Sequence, residues 1–190
     1  MTSASFSYLG VSYYFVCNEN STVIMTFPDI LLSKFSWQHN DFVSGQCQND
    51  QQYMLLQMKN SLVFDSSFSV HLVQWNQSTD CCTWSGVDCD VDGHVIGLNL
   101  SFESISGGIE NSTGLFGLHY LQSLNLAYNS LNAAQIPSRF ANLTNLTYLN
   151  LSTAGFTGQI PIAISGMTRL VSLDLSTDFA VACRSSSLET

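Results

Sequence analysis

The chain has 190 residues, of which 45% are hydrophobic and only 10% are charged. That length is enough for a domain with a real hydrophobic core, and the composition excludes an intrinsically disordered chain. The net charge is −9, because 14 Asp and Glu outnumber 5 Lys and Arg. A chain this acidic repels phosphate backbones, which argues against a nucleic-acid partner.

Residues 1–45 share only some features with a secretory leader. The stretch 6–16 is apolar and aromatic, but no basic residue precedes it, and the first is Lys34. The segment 43–45 offers small residues for cleavage, yet the residues before it are polar. We therefore predict an atypical leader-like or disordered segment over residues 1–45. No run of 18 apolar residues occurs in the sequence, so no membrane-spanning helix is expected.

Residues 46–93 predict a small helical unit. Asn49 is expected to cap the first helix, with Gln52 at the capping-box position. The apolar residues that follow fall on one helical face, namely Leu55, Leu56, Met58, Leu62 and Val63. A second short apolar element contains Leu72, Val73 and Trp75.

Cysteines and glycosylation sequons together indicate a secreted, oxidising environment. Four of the six cysteines, Cys47, Cys81, Cys82 and Cys89, lie within 43 residues of one another. Four cysteines permit three pairings, and the sequence alone does not choose among them. Sequons begin at Asn20, Asn76, Asn99, Asn111, Asn142, Asn145 and Asn150.

Residues 94–176 contain an internal repeat. Paired leucines occur at Leu98/Leu100, Leu124/Leu126, Leu149/Leu151 and Leu173/Leu175, with successive spacings of 26, 25 and 24 residues. Leucine-rich repeats have periods of about 20–29 residues. We therefore predict an α/β solenoid of about four repeats, the last incomplete, with parallel strands on its concave face. Residues 46–93 would then cap its exposed end.

Each repeat also predicts specific contacts outside its strand. Asn129, where the chain leaves a strand, is expected to bond the backbone of the turn and link neighbouring coils. Glu103 and Ala154 hold the equivalent positions, so this asparagine ladder is predicted to be broken on both sides. Pro137 and Pro161 suit turns on the convex side. Six residues are expected to fill the core behind the strands, namely Ile136, Phe140, Leu143, Ile160, Ile164 and Met167.

The segments CQNDQQYMLLQMKNSLVF and LVQWNQSTDCCTWSGVDCDVDGHVIGLNLS resemble the N-terminal cap of plant leucine-rich-repeat proteins. The phrase GFTGQIP resembles the plant-specific repeat class. Together they resemble plant disease-resistance receptor-like proteins, including the wilt-resistance type, over about residues 46–176. The resemblance implies Cys47–Cys81 and Cys82–Cys89 disulfides in the cap, and it offers no counterpart for Cys17 or Cys183. It also implies location at the apoplastic face of the plasma membrane, a protein or peptide ligand, and a co-receptor kinase.

Two metal-binding interpretations are weak. The segment 88–93 resembles the start of a calcium-binding EF-hand loop, but Asn99 stands where a bidentate glutamate is needed. Cys81, Cys82, Cys89 and His94 lack the regular spacing of zinc ligands. The histidines are scattered, and no nucleophile elbow or phosphate-binding loop occurs. We expect no metal, no cofactor and no enzymatic activity.

The residues that point outward from the strands form the candidate ligand-binding strip. Its members are Ser123, Asn125, Tyr128, Tyr148, Ser152, Thr153, Ser172 and Asp174, and Ala127, Ser176 and Thr177 are also expected to point outward. Tyrosine is favoured at interfaces. The alternative is ordinary solvated strand surface. Asn99 and Asn150 are sequons on this strip, so glycans there would narrow it.

The leading hypothesis is an extracellular recognition module of a defence receptor-like protein. The alternatives are a secreted polygalacturonase-inhibitor-like protein and the ectodomain of a receptor kinase. Residues 177–190 show neither a repeat phase nor a capping cysteine pair, which predicts a truncated product.

Overall fold

The computed structural model describes residues 2–8, 11–17, 45–131 and 134–177. In the first 45 residues, strands β1 (Thr2–Tyr8) and β2 (Val11–Cys17) pair antiparallel, where the sequence predicted a leader or disorder. Serine, threonine and aromatic residues dominate both strands, and β-branched and aromatic residues favour extended backbone. The predicted tail after residue 177, Cys183 and the sequon at Asn20 lie outside the described residues.

Helix α1 (Asn49–Ser61) opens the cap. The N-cap position is Gln48, which makes no side-chain capping bond, so the predictions for Asn49 and Gln52 are wrong. The Gln52 side chain instead donates to the carbonyl oxygens of Gln77 and Thr79, at 3.1 and 3.2 Å. Longer-range contacts with the loop therefore replace the local capping box. The helix buries Leu55 and Met58, whereas the predicted face member Val63 is 61% exposed.

The rest of the cap consists of short elements. Strand β3 (Val63–Phe64) precedes 3₁₀ turns at Leu72–Gln74 and Cys81–Thr83. Trp75 and Trp84 are buried and stack with ring centroids 5.2 Å apart. Val73 was predicted to belong to a second apolar element, but its side chain is exposed. The 3₁₀ turn that contains it has only one buried side, which Leu72 occupies.

One five-stranded sheet joins the cap to the repeats. Its order is β4 (Val87–Cys89), β5 (Val95–Asn99), β7 (Ser123–Asn125), β8 (Tyr148–Asn150) and β9 (Ser172–Asp174). Strand β4 is antiparallel to β5, and the remaining strands are parallel. Between β5 and β7 lie β6 (Ile105–Gly107), which pairs with β3, and helix α2 (Thr113–Gly117).

The leucines of successive coils stack in register. Leu98, Leu124, Leu149 and Leu173 are direct partners across the four parallel strands, and all are buried. The predicted parallel solenoid with a helical cap is confirmed. Behind the strands, 3₁₀ helices at Ser138–Asn142 and Ile162–Gly166 bury Phe140 and Ile164. No described helix has the length and apolarity needed to cross a membrane.

Burial weakens in the last described coil. Ile160, predicted to fill the core, is 38% exposed, and Ile136 in the preceding coil is only half-buried. No described residue covers the far side of this coil. A leucine-rich coil buries its apolar face only against a neighbour on each side.

Asn129 forms the predicted link between two coils. Its side chain is 8% exposed, and its Oδ1 accepts the Ile105 N–H at 2.9 Å. Its Nδ2 donates to the carbonyl oxygens of Leu100, at 2.8 Å, and Leu126, at 2.9 Å. Ile105 and Leu100 belong to the preceding coil, so one buried amide satisfies backbone groups of both coils.

We expect Asn129→Ala to lower the free energy of unfolding by about 2–4 kcal/mol, since it leaves buried donors and acceptors without partners. Urea denaturation followed by circular dichroism measures the change. The exposed neighbour Ser130→Ala is the matched control and should change stability by less than about 0.5 kcal/mol. Equal effects of the two substitutions would contradict the assigned role of the amide.

Candidate functional site

The solvent side of the five-stranded sheet presents two rows of side chains, which we call the sheet face. The first row runs across the parallel strands through Gly97, Ser123, Tyr148 and Ser172. The second row runs through Asn99, Asn125, Asn150 and Asp174. Successive residues of a strand point to opposite faces, so these rows lie opposite the buried leucines.

The second row ends each parallel strand in the same way. The Oδ1 atoms of Asn99, Asn125, Asn150 and Asp174 each accept the backbone N–H two residues later, at 3.1, 3.0, 2.9 and 2.9 Å. Asn and Asp favour such turns because the side chain imitates a backbone acceptor. One oxygen of every residue in this row is therefore committed to the backbone.

The turns correct two members of the predicted outward set. Ala127 and Ser152 are 2% and 6% exposed, so neither contributes surface, although both were predicted to point outward. The strand alternation stops at Asn125 and Asn150, because the chain turns there so that the backbone N–H of the residue two positions later bonds the side chain. The other strip members are exposed or half-buried, namely Ser123, Asn125, Tyr128, Tyr148, Thr153, Ser172 and Asp174.

Phe102, which the sequence did not lead us to include, forms an aromatic pair with Tyr128 of the predicted strip beside the sheet face. Phe102 and Tyr128 stack with ring centroids 4.5 Å apart and planes 6° apart, and they are 61% and 43% exposed. Both have positive φ, at 60° and 55°, as does Thr153 at 49°. Phe102 occupies the repeat position that Tyr128 and Thr153 occupy in the two later coils, two residues after the second leucine of each pair. Aligning the first coil with the later ones at this position would have identified Phe102.

The opposite edge of the sheet carries a second column. His94 directly precedes strand β5, and Tyr120 directly precedes Leu121 in the next coil. Their rings stack with centroids 3.8 Å apart. In the next coils, Asn145 Nδ2 donates to the His119 carbonyl at 2.7 Å, and Arg169 donates to Asn145 Oδ1. The sheet face is therefore bordered by organised side chains on both edges.

The sequons differ in their surroundings. Asn76, Asn99, Asn111 and Asn142 are exposed. Asn145 and Asn150 are half-buried, and their Nδ2 atoms, to which a glycan would be attached, donate to the His119 carbonyl and the Tyr148 hydroxyl. The Nδ2 of the exposed Asn76 also donates, to the Gln74 carbonyl at 3.1 Å. A glycan replaces one of the two Nδ2 hydrogens, so at each of these three sites the other would have to keep the existing hydrogen bond.

The cysteines of the cap form two disulfides. Cys47 is bonded to Cys81 and Cys82 to Cys89, each with a Cα–Cα distance of 5.5 Å. This is the pairing that the family resemblance implies. The four sulfur atoms are therefore occupied by bonds to one another rather than available as thiolates.

The acidic turn after the cap is held by its own backbone. Asp90 Oδ1 accepts the N–H groups of Asp92 and His94, at 3.0 and 2.9 Å. Asp90 Oδ2 lies 3.2 Å from His94 Nδ1. These contacts make a tight polar turn from the cap into strand β5.

Glu103 has a role that the repeat alignment did not reveal. It is fully buried, and its carboxylate accepts the N–H groups of Val70, His71 and Leu72 at 3.1, 2.9 and 3.1 Å. It also accepts the hydroxyl of Ser69. The asparagine ladder does stop here, but the carboxylate replaces it with a link in the opposite direction. It joins the first coil to the cap.

Burial alone would raise the pKa of Glu103, because a charged carboxylate is poorly solvated there. The hydrogen bonds from Ser69, His71, Leu72 and Val70 outweigh that cost and hold the pKa below its ordinary value. His71 Nε2 lies 4.0 Å from the carboxylate.

The comparisons with known proteins agree with this geometry. A family model for the leucine rich repeat N-terminal domain matches residues 48–90, and a leucine-rich-repeat model matches residues 120–143 and 145–167. The chain thus carries a leucine-rich-repeat N-terminal domain followed by leucine-rich repeats. Its similarity is to plant receptor-like proteins of the disease-resistance type.

Curated relatives include receptor-like protein 6 of Arabidopsis thaliana, which is 36% identical in an alignment 178 positions long that covers 84% of this chain and 18% of the relative. Receptor-like protein 7 of Arabidopsis thaliana is 43% identical over 61% of this chain and 12% of the relative. Receptor-like protein EIX1 of Solanum lycopersicum is 35% identical over 68% of this chain and 14% of the relative. The chain thus spans less than a fifth of the length of these relatives.

Two solved plant structures share the fold. The ectodomain of the membrane receptor kinase GASSHO1/SCHENGEN3 from Arabidopsis thaliana, in complex with CASPARIAN STRIP INTEGRITY FACTOR 2, has a TM-score of 0.53 and 28% identity. The match covers 63% of this chain and 14% of that one. The PEPR1–AtPEP1 structure has a TM-score of 0.51 and 27% identity, covering 68% and 18%.

We expect Glu103→Gln to lower the free energy of unfolding at neutral pH by about 2–4 kcal/mol, because charge-assisted hydrogen bonds are lost. The folded-state pKa of Glu103 is depressed, so its stabilisation is present above the unfolded value of about 4.3 and is lost as pH falls through the folded value. The difference between wild type and variant should therefore shrink in acid. Urea unfolding between pH 7 and pH 3 measures it.

The exposed Glu110→Gln is the matched control for the same change of charge. Its unfolding curve should follow that of the wild type at every pH. A difference between wild type and Glu103→Gln that stays constant from pH 7 to pH 3 would exclude the ionised carboxylate as the link.

Proposed function

We propose that this chain is an extracellular recognition module of a plant receptor-like protein, acting in defence signalling. In this proposal the sheet face binds a protein or peptide ligand. The observation that carries the proposal is the repeated register of the face, which presents equivalent side chains at every strand. Such an array offers an extended partner the same spacing at each step.

The chemistry of the face supports binding. Ser123, Tyr148 and Ser172 offer hydroxyl groups in one row, and Asn99 and its counterparts offer amides in the next. The rim adds exposed aromatic rings, which combine apolar area with a polar tip in tyrosine. Tyrosine and phenylalanine are enriched at protein interfaces.

The features of the cap are consistent with a secreted module. Disulfides persist in oxidising compartments, and four of the sequon asparagines are exposed to solvent. We therefore place the module at the apoplastic face of the plasma membrane, with a co-receptor kinase as its second partner and no nucleic acid. Recognition, rather than catalysis, is the activity we assign.

The similarity to the GASSHO1/SCHENGEN3 ectodomain favours a second candidate, the ligand-binding part of a receptor kinase. Both candidates use the sheet face for binding and differ in what is attached beyond it. A longer transcript that encodes a membrane helix without a kinase supports the receptor-like protein, and one that encodes a kinase supports the second candidate. The polygalacturonase-inhibitor alternative predicts inhibition of a fungal polygalacturonase by micromolar chain.

Selection of a displayed random peptide library on the secreted full chain tests the proposal. We expect enriched peptides to lose at least about 10-fold in affinity for Ser123→Arg, because an arginine there obstructs the sheet face. Ser138→Arg, the same change in the 3₁₀ helix between β7 and β8, is the control and should bind as wild type does. Enriched peptides that are indifferent to Ser123→Arg would place recognition elsewhere and contradict the proposal.

A further inference from the structure

We infer that the sheet face takes an extended cationic peptide segment, with one basic side chain over Asp88 and a second over Asp174. This inference rests on the proposed function and specifies the class of ligand. The argument starts from the two carboxylates on the face and from the positions of the described cations.

Asp88 lies on the sheet face, beside the first row. Its Cα partner across the antiparallel pair is Gly97, and Leu98 next to Gly97 points into the core. A Cβ atom built on Gly97 would lie 2.6 Å from Asp88 Oδ2, so only glycine leaves room for this carboxylate to cover strand β5. Asp88 is exposed, and its side chain has no hydrogen-bond partner among the residues described. Its charge is therefore available to a ligand.

Asp174 provides the second carboxylate at the other end of the sheet. It follows Asn99, Asn125 and Asn150 in the second row and is the only one of the four that carries a charge. Its Oδ1 accepts the Ser176 N–H, which fixes the orientation of the group and leaves Oδ2 for another donor. The carboxylate is thus held in place before any ligand arrives.

No described lysine or arginine belongs to the rows of the face. Lys59 Nζ donates to the Trp75 carbonyl at 2.7 Å in the cap. Arg139 lies over the Phe116 ring, 4.6 Å from its centroid, on the convex side. Arg169 precedes strand β9 and bonds Asn145. The face therefore has negative charge without an internal counter-ion, in a chain whose net charge is −9.

The separation of the two carboxylates specifies the ligand further. The Asp88 carboxylate covers β5, which is three strands from β9. Three steps of about 4.8 Å across the sheet and one two-residue step of about 6.6 Å along a strand give about 16 Å. An extended peptide advances about 3.3 Å per residue, and its side chains alternate between two faces. Basic residues four positions apart, about 13 Å, share a face and come closest to this distance. Adjacent basic residues do not.

The aromatic pair at the rim suits the same ligand. Phe102 stacks on Tyr128 through one ring face, and its 61% exposure leaves further ring surface open to solvent. Guanidinium groups stack favourably on aromatic rings. A third basic side chain that projects beyond the second row would therefore find a stacking surface there.

A peptide with arginines at its second and sixth positions, separated by glycine and serine, is the test probe. Its affinity for the secreted full chain, after endoglycosidase treatment, is measured by fluorescence anisotropy at 50 and 300 mM NaCl. We expect Asp88→Asn and Asp174→Asn to weaken binding about 2- to 5-fold each, as for exposed ion pairs. The wild-type affinity should fall as salt rises.

Asp174→Asn is combined with Ser176→Ala, because the new asparagine would otherwise start a glycosylation sequon with Ser176. The asparagine still accepts the backbone N–H of position 176, which preserves the turn. Ser176→Ala alone and Glu110→Gln, which removes one charge outside the rows, are the controls and should bind as wild type does. Thermal melts verify that every variant is folded.

Three outcomes would overturn the inference. They are an equal loss of affinity in Glu110→Gln, equally tight binding of a peptide with adjacent arginines, and equally tight binding of the same peptide with glutamates. Failure of the inference remains distinct from failure of the proposed function. Library peptides that are neutral or acidic and yet sensitive to Ser123→Arg would support recognition at the sheet face and exclude the cationic ligand.

Discussion

A leucine-rich coil of about 25 residues is too thin to cover its own apolar residues. Leu98, Leu124 and Leu149 are fully buried because a coil or the cap lies on each side of them. The same leucines continue into the buried tryptophans of the cap without a break in the core. Stacking of neighbours is therefore the constraint from which the sheet, the cap and the binding face all follow.

Two buried polar side chains strengthen that stacking, one between the first and second coils and the other between the first coil and the cap. Asn129 satisfies backbone groups in its own coil and the preceding one. Glu103 accepts three backbone N–H groups and a hydroxyl from the cap. A buried polar group without partners is costly, so each of these side chains favours one register between its neighbours. The first coil is thus fixed on both of its sides.

The periodic part of this architecture could be predicted from the sequence, because equal spacing of leucines requires equal spacing of strands. The departures come from contacts that have no period. Glu103 aligns with Asn129, yet it bonds residues more than 30 positions earlier, and no local pattern records that distance. The Gln52 side chain likewise donates to carbonyl oxygens of a distant loop and does not form the local capping box. Ala127 and Ser152 were misplaced because strand alternation was extended through a turn.

The candidate site also contains residues that follow from the repeat and residues that do not. The two rows follow from the repeat and were predictable, whereas Phe102 and Asp88 lie in or before the first coil, where the repeat is least regular. Phe102 and Asp88, the features of this face that the repeat did not predict, therefore lie beside the cap. A ligand that spans the face would touch both the regular rows and these particular residues.

Native-state hydrogen exchange of the full chain tests most directly whether the cap and the coils form one stacked unit. Slowly exchanging amides in helix α1 and in strands β5, β7 and β8 should report the same free energy of opening and respond equally to denaturant. That result would show that the cap and repeats unfold together. Amides of α1 that exchange several kcal/mol more easily than those of β5 would show that the cap opens independently, and would contradict the account.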